Sequence, residues 1–374
     1  MDNKIFDSAI VGGGLAGLTL AIQLADAGHS VVLFEKEKYP FHKVCGEYIS
    51  MESYSFLQRI GLPLPTMNLP MITELKISAP NGNCITHKLD LGGFGISRYT
   101  LDSHLAELAK RKGVMLLEET KVTDINFEND FFTIKTAHQS YTAKLAIGSY
   151  GKKSMLDKKL NRKDVKHKKN YIGVKYHIKL NFPDNRIELH NFKDGYCGIS
   201  KVDGDTYCLC YLTNSQNLRD NKNDIKAMEQ NVLMKNLFLK KYFSEAIFLY
   251  NKPLAISQIT FDKKGAVENK VLMLGDSAGN IAPLCGNGMS MAMRASFEAF
   301  QLIKKYLDSK ISRETLEANY KKQWNTLFSK RIKVGKYIQH LFGKELLTNA
   351  SIGIFKKIPA LANKLIASTH GHKF

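Results

Sequence analysis

The chain lacks the cysteine patterns that mark metal sites and disulfide frameworks. Its six cysteines are scattered, with no C-x-x-C pair and no histidine ligands beside them, so we expect no metal and no structural disulfide. It also lacks any run of about 18 or more apolar residues, the length of a membrane-spanning helix. The N-terminus enters an apolar strand too early for a signal peptide. We therefore expect a cytoplasmic protein.

Acidic residues are scarce relative to basic ones. The chain has 54 Lys and Arg against 35 Asp and Glu, a formal net charge of +19. Lysines are concentrated between Lys152 and Lys169 and again from Lys321 to the C-terminus. Solvated lysine faces explain this excess, and so would an anionic membrane surface, an acidic carrier protein or an anionic substrate. No nucleic-acid-binding module is visible, so we expect no nucleic-acid partner.

The first forty residues carry the strongest motif. An apolar run leads into Gly12-x-Gly14-x-x-Gly17, and apolar residues at helical spacing follow. Glycines suit such a strand–turn–helix because they allow the turn, the approach of backbone N–H groups to a pyrophosphate, and close packing of helix on strand. A second apolar strand ends in Glu35, about 20 residues after the first glycine, where a ribose-binding carboxylate is expected. These features together predict dinucleotide binding.

A second strand–loop–helix element follows much later. The apolar strand from Val271 ends in Gly275-Asp276, and the segment Gly286–Gly288 precedes a long helix, Met289–Tyr306. A carboxylate suits the hydroxyls of a sugar-alcohol chain, and a helix N-terminus bracketed by glycines can hold an anion or a polarised carbonyl. An ordinary crossover without a ligand would show the same pattern.

The chain between these elements has a different character. Residues 71–91 read as a hairpin, and short β-rich pieces from 171 to 213, separated by Asp, Asn and Gly turns, predict an antiparallel sheet that forms one wall of a pocket. One helix is expected from about Asp224 to Tyr242. An amphipathic helix is expected from Thr315 to His340.

Together these elements resemble the FAD-dependent oxidoreductases of the group that holds the para-hydroxybenzoate hydroxylase-like monooxygenases, flavin halogenases and geranylgeranyl reductases. The resemblance covers roughly residues 5 to 330. It rests on three ordered motifs: Gly12-x-Gly14-x-x-Gly17 with Glu35, Arg98 leading Leu101-Asp102-x-x-Leu105, and Gly275-Asp276-x-Ala278-Gly279 with Pro283, Gly286 and Gly288.

The resemblance implies an α/β fold in three parts. A Rossmann-like FAD-binding domain of the glutathione-reductase type would comprise residues 1–70, 98–160 and 262–310. An inserted antiparallel-sheet substrate domain would comprise residues 71–97 and 161–261. Residues 311–374 would form a helical C-terminal region.

The same resemblance implies non-covalent FAD and a role for each motif. Glu35 would hold the adenosine ribose, Asp276 the ribityl chain and the Gly286–Gly288 loop the edge of the flavin ring. Arg98 would lie near the phosphates or the ribityl chain, and the Val122 backbone near adenine. The full set of expected cofactor contacts is Gly12, Gly14, Leu15, Ala16, Gly17, Glu35, Lys36, Arg98, Val122, Asp276, Pro283, Gly286, Asn287, Gly288 and Met289.

Within the group, the segment Lys43-Val44-Cys45-Gly46-Glu47 looks most like the Lys-x-Cys-Gly-Gly stretch of the geranylgeranyl reductase branch. Glu47 stands where that stretch has its second glycine. Trp324 is the only tryptophan, so the halogenase Trp-x-Trp-x-Ile-Pro motif is absent. The Ala-Asp-Gly segment of the hydroxylases is replaced by Gly148–Gly151, which leaves NAD(P)H and a separate reductase as alternative electron donors.

The leading functional interpretation is an FAD-dependent oxidoreductase of an apolar substrate: a lipid, isoprenoid, polyene or aromatic compound. In the preferred reaction, hydride from flavin N5 reduces a C=C bond and a nearby acid supplies the proton; Cys45 is the candidate, with Glu47 or Tyr48 as substitutes. Cys45 as a packing thiol is the competing interpretation. The alternatives are a flavin-dependent monooxygenase that hydroxylates an aromatic or lipid-like substrate, and a non-enzymatic flavin-binding module.

The C-terminal stretch from Ile352 to Ala367 combines apolar residues with lysines, and Pro359 limits any helix there. One interpretation is a broken helix that lies in a membrane interface, making the protein peripheral at the inner face of the membrane. The other is a lid over the substrate pocket, with its lysines in solvent.

Overall fold

The computed structural model describes residues 4–162, 170–259, 264–279, 286–341, 344–358, 360–361, 365–366 and 371–374. The strands are β1 Ile5–Val11, β2 Val31–Phe34, β3 Tyr48–Ser50, β4 Met71–Ser78, β5 Cys84–Gly95, β6 Met115–Leu117, β7 Val122–Glu128, β8 Phe131–Thr136, β9 Ser140–Gly148, β10 Tyr171–Lys179, β11 Arg186–Phe192, β12 Gly195–Lys201, β13 Tyr207–Asn214, β14 Ile247–Phe248, β15 Leu254–Ile259, β16 Val267–Glu268 and β17 Val271–Met273. The helices are α1 Leu15–Asp26, α2 Tyr54–Arg59, α3 Arg98–Arg111, α4 Leu156–Lys159, α5 Ser215–Asp220, α6 Ile225–Asn231, α7 Leu237–Glu245, α8 Gly288–Leu307, α9 Arg313–Leu341 and α10 Glu345–Lys357.

The first sheet has a parallel centre. Its order is β16-β17-β9-β1-β2-β6, with β8 paired to β9 and β7 to β8; the pairs among β17, β9, β1, β2 and β6 are parallel. β2 is apolar and buried along its whole length, as strands covered on both faces are. Because these strands are parallel, β1, β2 and β17 end at the same edge, where α1 follows β1.

The second sheet is mostly antiparallel. Its order is β14-β10-β13-β12-β11-β4-β5-β3, with β15 also paired to β10. β4 and β5 form the predicted hairpin. β3 lies in the segment 1–70 that the sequence assigns to the FAD-binding domain, and it extends the second sheet, because Tyr48 pairs with Gly95. The domain boundaries stay predictions.

Side-chain alternation along β10 gives the second sheet two different faces. Val174 and Tyr176 pack in an apolar cluster with residues of α6 and α7. Gly173, Lys175 and His177 point to the opposite face, since successive side chains of a strand alternate. That opposite face is turned towards the loop that precedes β3, where Lys175 and His177 both bind Glu47.

The single helix predicted from Asp224 to Tyr242 is wrong. The chain forms α6, a short 3₁₀ turn and α7, with Asn236 in an extended conformation between them. The Asn236 side-chain amide donates to Ser78 Oγ, Ala79 O and Asn191 O. These three hydrogen bonds hold Asn236, and with it the interruption between the two helices, against the second sheet. Helical periodicity in the sequence does not reveal such long-range contacts.

The predicted amphipathic helix is confirmed as α9, whose residues Leu316, Tyr320, Trp324, Phe328 and Ile332 are buried in the main core. α10 follows and ends at Lys357, two residues before Pro359. Pro359 and several of the residues after it lie outside the described part of the chain.

Candidate active site

A cavity of about 1220 Å³ opens between the two sheets, at the edge where the parallel strands end. Sites for drug-sized ligands measure roughly 300–1,000 Å³, so this cavity has room for a dinucleotide and a second molecule. The residues predicted from sequence that line it are Gly12, Gly14, Leu15, Ala16, Glu35, Lys36, Cys45, Glu47, Tyr48, Arg98, Val122, Asp276, Gly286, Gly288 and Met289. Gly17 and Asn287 lie behind the wall, and Pro283 is outside the described residues.

The three glycines of the first motif meet different surroundings. Gly12 has a φ of +108°, a backbone conformation that residues with a side chain rarely adopt. A Cβ on Gly17 would lie 2.1 Å from the Gly12 carbonyl oxygen, which is too close. A Cβ on Gly14 would have no atom of the described residues within 4 Å. α1 begins at the next residue with no side-chain cap and no acidic residue in its first turn. The turn is therefore open towards the cavity and presents the positive end of a helix, which fits a pyrophosphate.

Glu35 is fixed beside this turn. Its carboxylate is buried at the end of β2 and accepts N–H bonds from Gly13 at 2.8 Å and from Glu37 at 3.1 Å. The Tyr39 hydroxyl donates to the Gly13 carbonyl on the same side of the loop. A carboxylate offers about four acceptor positions, so these two bonds leave capacity for ribose hydroxyls.

On the other side of the cavity, Asp276 and Arg98 differ in how firmly they are held. The Asp276 side chain is 41% exposed, with Lys152 Nζ 4.0 Å from its carboxylate. The Arg98 guanidinium makes two 2.7 Å bonds to Asp102, which Lys43 also contacts at 2.9 Å. Burial alone would raise the pKa of Asp102, but Arg98 and Lys43 hold it below its ordinary value. Asp102 therefore stays ionised and orients Arg98 at the cavity wall.

Glu47 is a buried anchor. Its φ is +56°, a conformation that favours glycine, at the position where the reductase stretch has glycine. Its carboxylate accepts bonds from Lys175 Nζ at 2.5 Å, His177 Nε2 at 2.6 Å and the Arg98 backbone N–H at 2.7 Å. Burial would raise the pKa of Glu47, but His177 and Lys175 lower it. At rest Glu47 is thus an acceptor with no proton of its own to give.

One donor atom each of Glu47, His177 and Cys208 lies within 4.8 Å of the others, a spacing that a metal ion could use. The ammonium group of Lys175 is fully buried against the same carboxylate. Its positive charge opposes a cation there, so we interpret the group as an ion-pair network. The sequence analysis missed Lys175 and His177. The available signal was their two-residue spacing on a predicted strand, which places them on the same face.

Cys45 lies between this network and α8. Its Sγ is 3.6 Å from Met289 Sδ, in the first turn of α8, and its carbonyl accepts a bond from Cys208 Sγ at 3.3 Å. Tyr48 packs against the Gly286 turn, where a Cβ would be 3.4 Å from its ring. Within the described part of the chain, the buried Tyr48 hydroxyl has no hydrogen-bond partner. Cys45 and Tyr48 therefore both flank the turn predicted to meet the flavin ring.

Residues 6–326 match the FAD binding domain family. The chain belongs to this family. It is 24% identical over 356 residues, 87% of this chain and 69% of the relative, to conditioned medium factor receptor 1 of Dictyostelium discoideum. It is 23% identical over 331 residues to a digeranylgeranylglycerophospholipid reductase of Methanococcus vannielii, covering 85% of this chain and 82% of that one.

A similar solved structure is that of a flavin-dependent brominase, with a TM-score of 0.82 at 17% identity over 98% of this chain and 93% of that one. At this identity the likeness concerns the fold. The predicted family resemblance, the α/β FAD-binding fold and FAD as cofactor are confirmed. This FAD-binding family member is an FAD-dependent oxidoreductase, in a superfamily that contains both reductases and monooxygenases.

Apolar side chains that the sequence analysis did not name line part of the flavoenzyme's cavity, and we call this part the apolar arm. The second sheet contributes Leu75, Ile77, Ile85, Leu89, Ile187 and Leu189, and the C-terminal region contributes Ile338, Phe355, Leu365 and Ile366. Alternation in β4 and β5 was a usable signal for the first group. No helix in the described ranges combines the length and apolar character needed to cross a bilayer.

Proposed function

We propose that this flavoenzyme reduces a C=C bond of an extended apolar lipid, with an isoprenoid chain as the preferred class. The observation that carries the proposal is the position of Cys45. Its thiol contacts the first turn of α8, and Cys45 lines the same cavity as the apolar side chains of the arm. A chain lying in that arm would bring its carbon atoms to the thiol and to the flavin site together.

Bound FAD supplies hydride chemistry at this site. The chain's own residues would bind and orient the lipid and supply the proton. Cys45 would donate its thiol proton to one alkene carbon, where a C–H bond would form as the S–H bond breaks, and the other carbon would receive the hydride that reduced FAD supplies, so the product would gain two hydrogen atoms. The apolar walls exclude water and hold the substrate against this pair of reactive groups.

Two similarities support the reductase over its alternatives. Lys43, Cys45 and Gly46 match the Lys-x-Cys-Gly stretch of the geranylgeranyl reductase branch. A curated relative along most of the chain carries the name digeranylgeranylglycerophospholipid reductase. We propose by analogy that a polyisoprenyl lipid is a substrate of this chain, with NAD(P)H or a separate reductase as the source of electrons.

The experiment compares the wild type with Cys45→Ala on digeranylgeranylglycerophospholipid, with dithionite as reductant and mass spectrometry as readout. Cys45→Ala should keep its FAD yet lose about 10²-fold or more in rate, the scale for a positioned general acid. Cys84→Ala, a thiol on β5 outside the cavity lining, is the matched control and should match the wild type. Equal rates for Cys45→Ala and wild type would contradict the role of Cys45.

Monooxygenation is the second candidate, because the same dry apolar arm also suits oxygen transfer to a lipid or aromatic substrate. The deciding measurement repeats the assay in air with NADPH. A product heavier by one oxygen atom, and no saturated product under anaerobic conditions, would replace the reductase proposal. Absence of turnover with either reductant would favour a non-enzymatic flavin-binding module.

We also propose that the lipid reaches the cavity from an anionic bilayer. The C-terminal region has two faces: Phe355 lines the cavity and Ile352 is buried, whereas Leu346 is 84% exposed and Ile354 48%. Glu345 is the only acidic residue from position 330 to 361, against seven lysines and arginines. A lid with an apolar outer face and a basic surround fits a membrane interface.

A further inference from the structure

Four side chains next to the Cys45 loop form an unbroken line of hydrogen bonds. Glu47 Oε2 is 2.6 Å from His177 Nε2, and His177 Nδ1 is 3.2 Å from the Tyr250 hydroxyl. The same hydroxyl is 2.9 Å from His42 Nε2. The His42 ring also contacts the rings of His177 and Tyr250, with centroids 5.3 and 5.2 Å apart. The line thus joins β10, the segment after β14 and the loop before β3.

The direction of every bond in the line follows from Glu47. An ionised carboxylate only accepts, so His177 donates through Nε2. In a neutral imidazole ring, donation through Nε2 leaves Nδ1 of His177 as the acceptor atom, and Lys175 supplies the positive charge beside Glu47. The Tyr250 hydroxyl must then donate to His177, and its oxygen must accept from His42 Nε2. All three bonds therefore point towards Glu47.

His42 is the open end of the line. With its proton on Nε2, its Nδ1 carries a lone pair, and within the described residues this buried atom has no hydrogen-bond partner. Burial lowers the pKa of His42, and the charge of Lys175 lowers it further, so the ring is neutral near neutral pH. His42 lines the cavity and stacks on the exposed ring of Tyr99. His42 is partly exposed, whereas His177 and Glu47 are buried.

We propose that His42, Tyr250, His177 and Glu47 form a proton relay that carries protons to the cavity wall beside Cys45. This role rests on the proposed function, because reduction of a C=C bond consumes one proton in each turnover. The four residues do not touch the substrate themselves. They act through the proton donor Cys45 and are positioning residues.

The transfers balance without any change in electrons. A proton binds His42 Nδ1 and the Nε2–H proton of His42 moves to the Tyr250 oxygen. Tyr250 passes its own proton to His177 Nδ1, and the Nε2–H proton of His177 moves to Glu47. Each transfer breaks one N–H or O–H bond and forms another. The net result is a protonated Glu47, two residues from Cys45. Its proton then passes to the Cys45 thiolate left by the reaction, which re-forms the S–H bond and returns Glu47 to a carboxylate.

The first test needs no substrate. It determines the tautomers of His42 and His177, which decide the donor and the acceptor in each hydrogen bond of the line. Long-range ¹H–¹⁵N correlation spectra of the FAD-bound, histidine-labelled protein distinguish the two neutral tautomers, and His42→Gln and His177→Gln assign the signals. Both rings should carry the proton on Nε2 near neutral pH. A proton on Nδ1 of either ring reverses a bond and overturns the relay.

The second test measures turnover in Tyr250→Phe, which keeps the ring and removes the bridging hydroxyl. Reduction of digeranylgeranylglycerophospholipid should fall about 10²-fold, the lower end of the range for positioned proton transfer, while FAD affinity and thermal stability stay at wild-type values. Tyr99→Phe is the matched control, since Tyr99 stacks on His42 but its hydroxyl is not in the line. A wild-type rate in Tyr250→Phe overturns the relay.

Failure of the two proposals would look different. A wild-type enzyme that leaves this lipid unreduced contradicts the proposed function. In that case the tautomer measurement, which needs no substrate, still tests the relay independently. A wild-type enzyme that reduces the lipid, with Tyr250→Phe equally fast, contradicts only the relay.

Discussion

At the scale of single residues, Gly14 and Gly17 separate cofactor binding from folding within one motif. Gly17 is needed because a Cβ there would collide with the Gly12 carbonyl, at 2.1 Å, and with Ser149 Oγ, at 2.6 Å. Within the described residues, no neighbour requires glycine at position 14: its φ of −80° suits any residue, and a Cβ would meet no described atom within 4 Å. Its side-chain position faces the place where we expect the pyrophosphate.

We therefore expect Gly14→Ala to lose FAD affinity while the apoprotein loses less than about 1 kcal/mol of unfolding free energy, since only a helix N-cap changes. Gly17→Ala should destabilise the apoprotein by about 1–3 kcal/mol or more through overpacking. Chemical denaturation of the apoproteins and fluorescence titration with FAD measure the two effects. Wild-type FAD affinity in Gly14→Ala would place the pyrophosphate elsewhere.

Residue-level sequence reasoning singled out the cavity residues Gly12, Glu35 and Asp276, but not the residues that bind Glu47. Gly12, Glu35 and Asp276 could be found because a linear motif records a local turn. The bonds that Glu47 makes to Lys175 and His177 span more than 120 positions, and depend on the pairing of β10 with β13 and on the path of the loop before β3. A local sequence pattern carries no information about contacts between residues so far apart in the chain.

At the scale of secondary structure elements, the sequence predicted those strands and helices that bury one face and expose the other. The hairpin of β4 and β5, the strands of the middle segment and α9 follow from alternation or from helical periodicity. The division between α6 and α7 did not, because it depends on what Asn236 meets across the fold. Asn236 also caps α7 by accepting a bond from the Phe238 N–H at 3.0 Å.

Asn236→Ala should lower the unfolding free energy by about 2–4 kcal/mol, because it removes a helix cap and leaves three acceptors without this donor. Asn214→Ala is the matched control. The Asn214 side chain caps α5 through one bond to the Gln216 N–H, so its loss should cost about 1 kcal/mol. Urea denaturation gives both values, and equal losses would show that the break between α6 and α7 does not depend on the Asn236 amide.

At the scale of the whole molecule, the cavity is a product of two sheets and the C-terminal region, each of which supplies a different chemistry. The parallel sheet supplies the glycine turn and Glu35, the second sheet supplies apolar walls, and the C-terminal region supplies Phe355 to the lining. Lys175 of the second sheet is buried against the cavity residue Glu47. The sequence predicted the two sheets as separate units. It could not predict how large a space they enclose, since that depends on how the units pack.

The outward face of the C-terminal region gives the last prediction. Its lysines each contribute about 1 kcal/mol near an anionic surface, and its exposed leucines and isoleucines gain further by burial among acyl chains. We expect the full chain to sediment with phosphatidylglycerol-containing vesicles at low salt and not with pure phosphatidylcholine.

The double variant Leu346→Ser/Ile354→Ser should lose most of this binding while keeping its FAD, because both side chains face away from the cavity. Leu237→Ser, at an equally apolar and exposed position on α7, is the matched control and should bind like wild type. Wild-type binding by the double variant would move the contact to the lysine cluster between Lys152 and Lys169. Absence of binding by the wild type would leave the C-terminal region as a lid alone, with an acidic carrier protein as the remaining route for an apolar substrate.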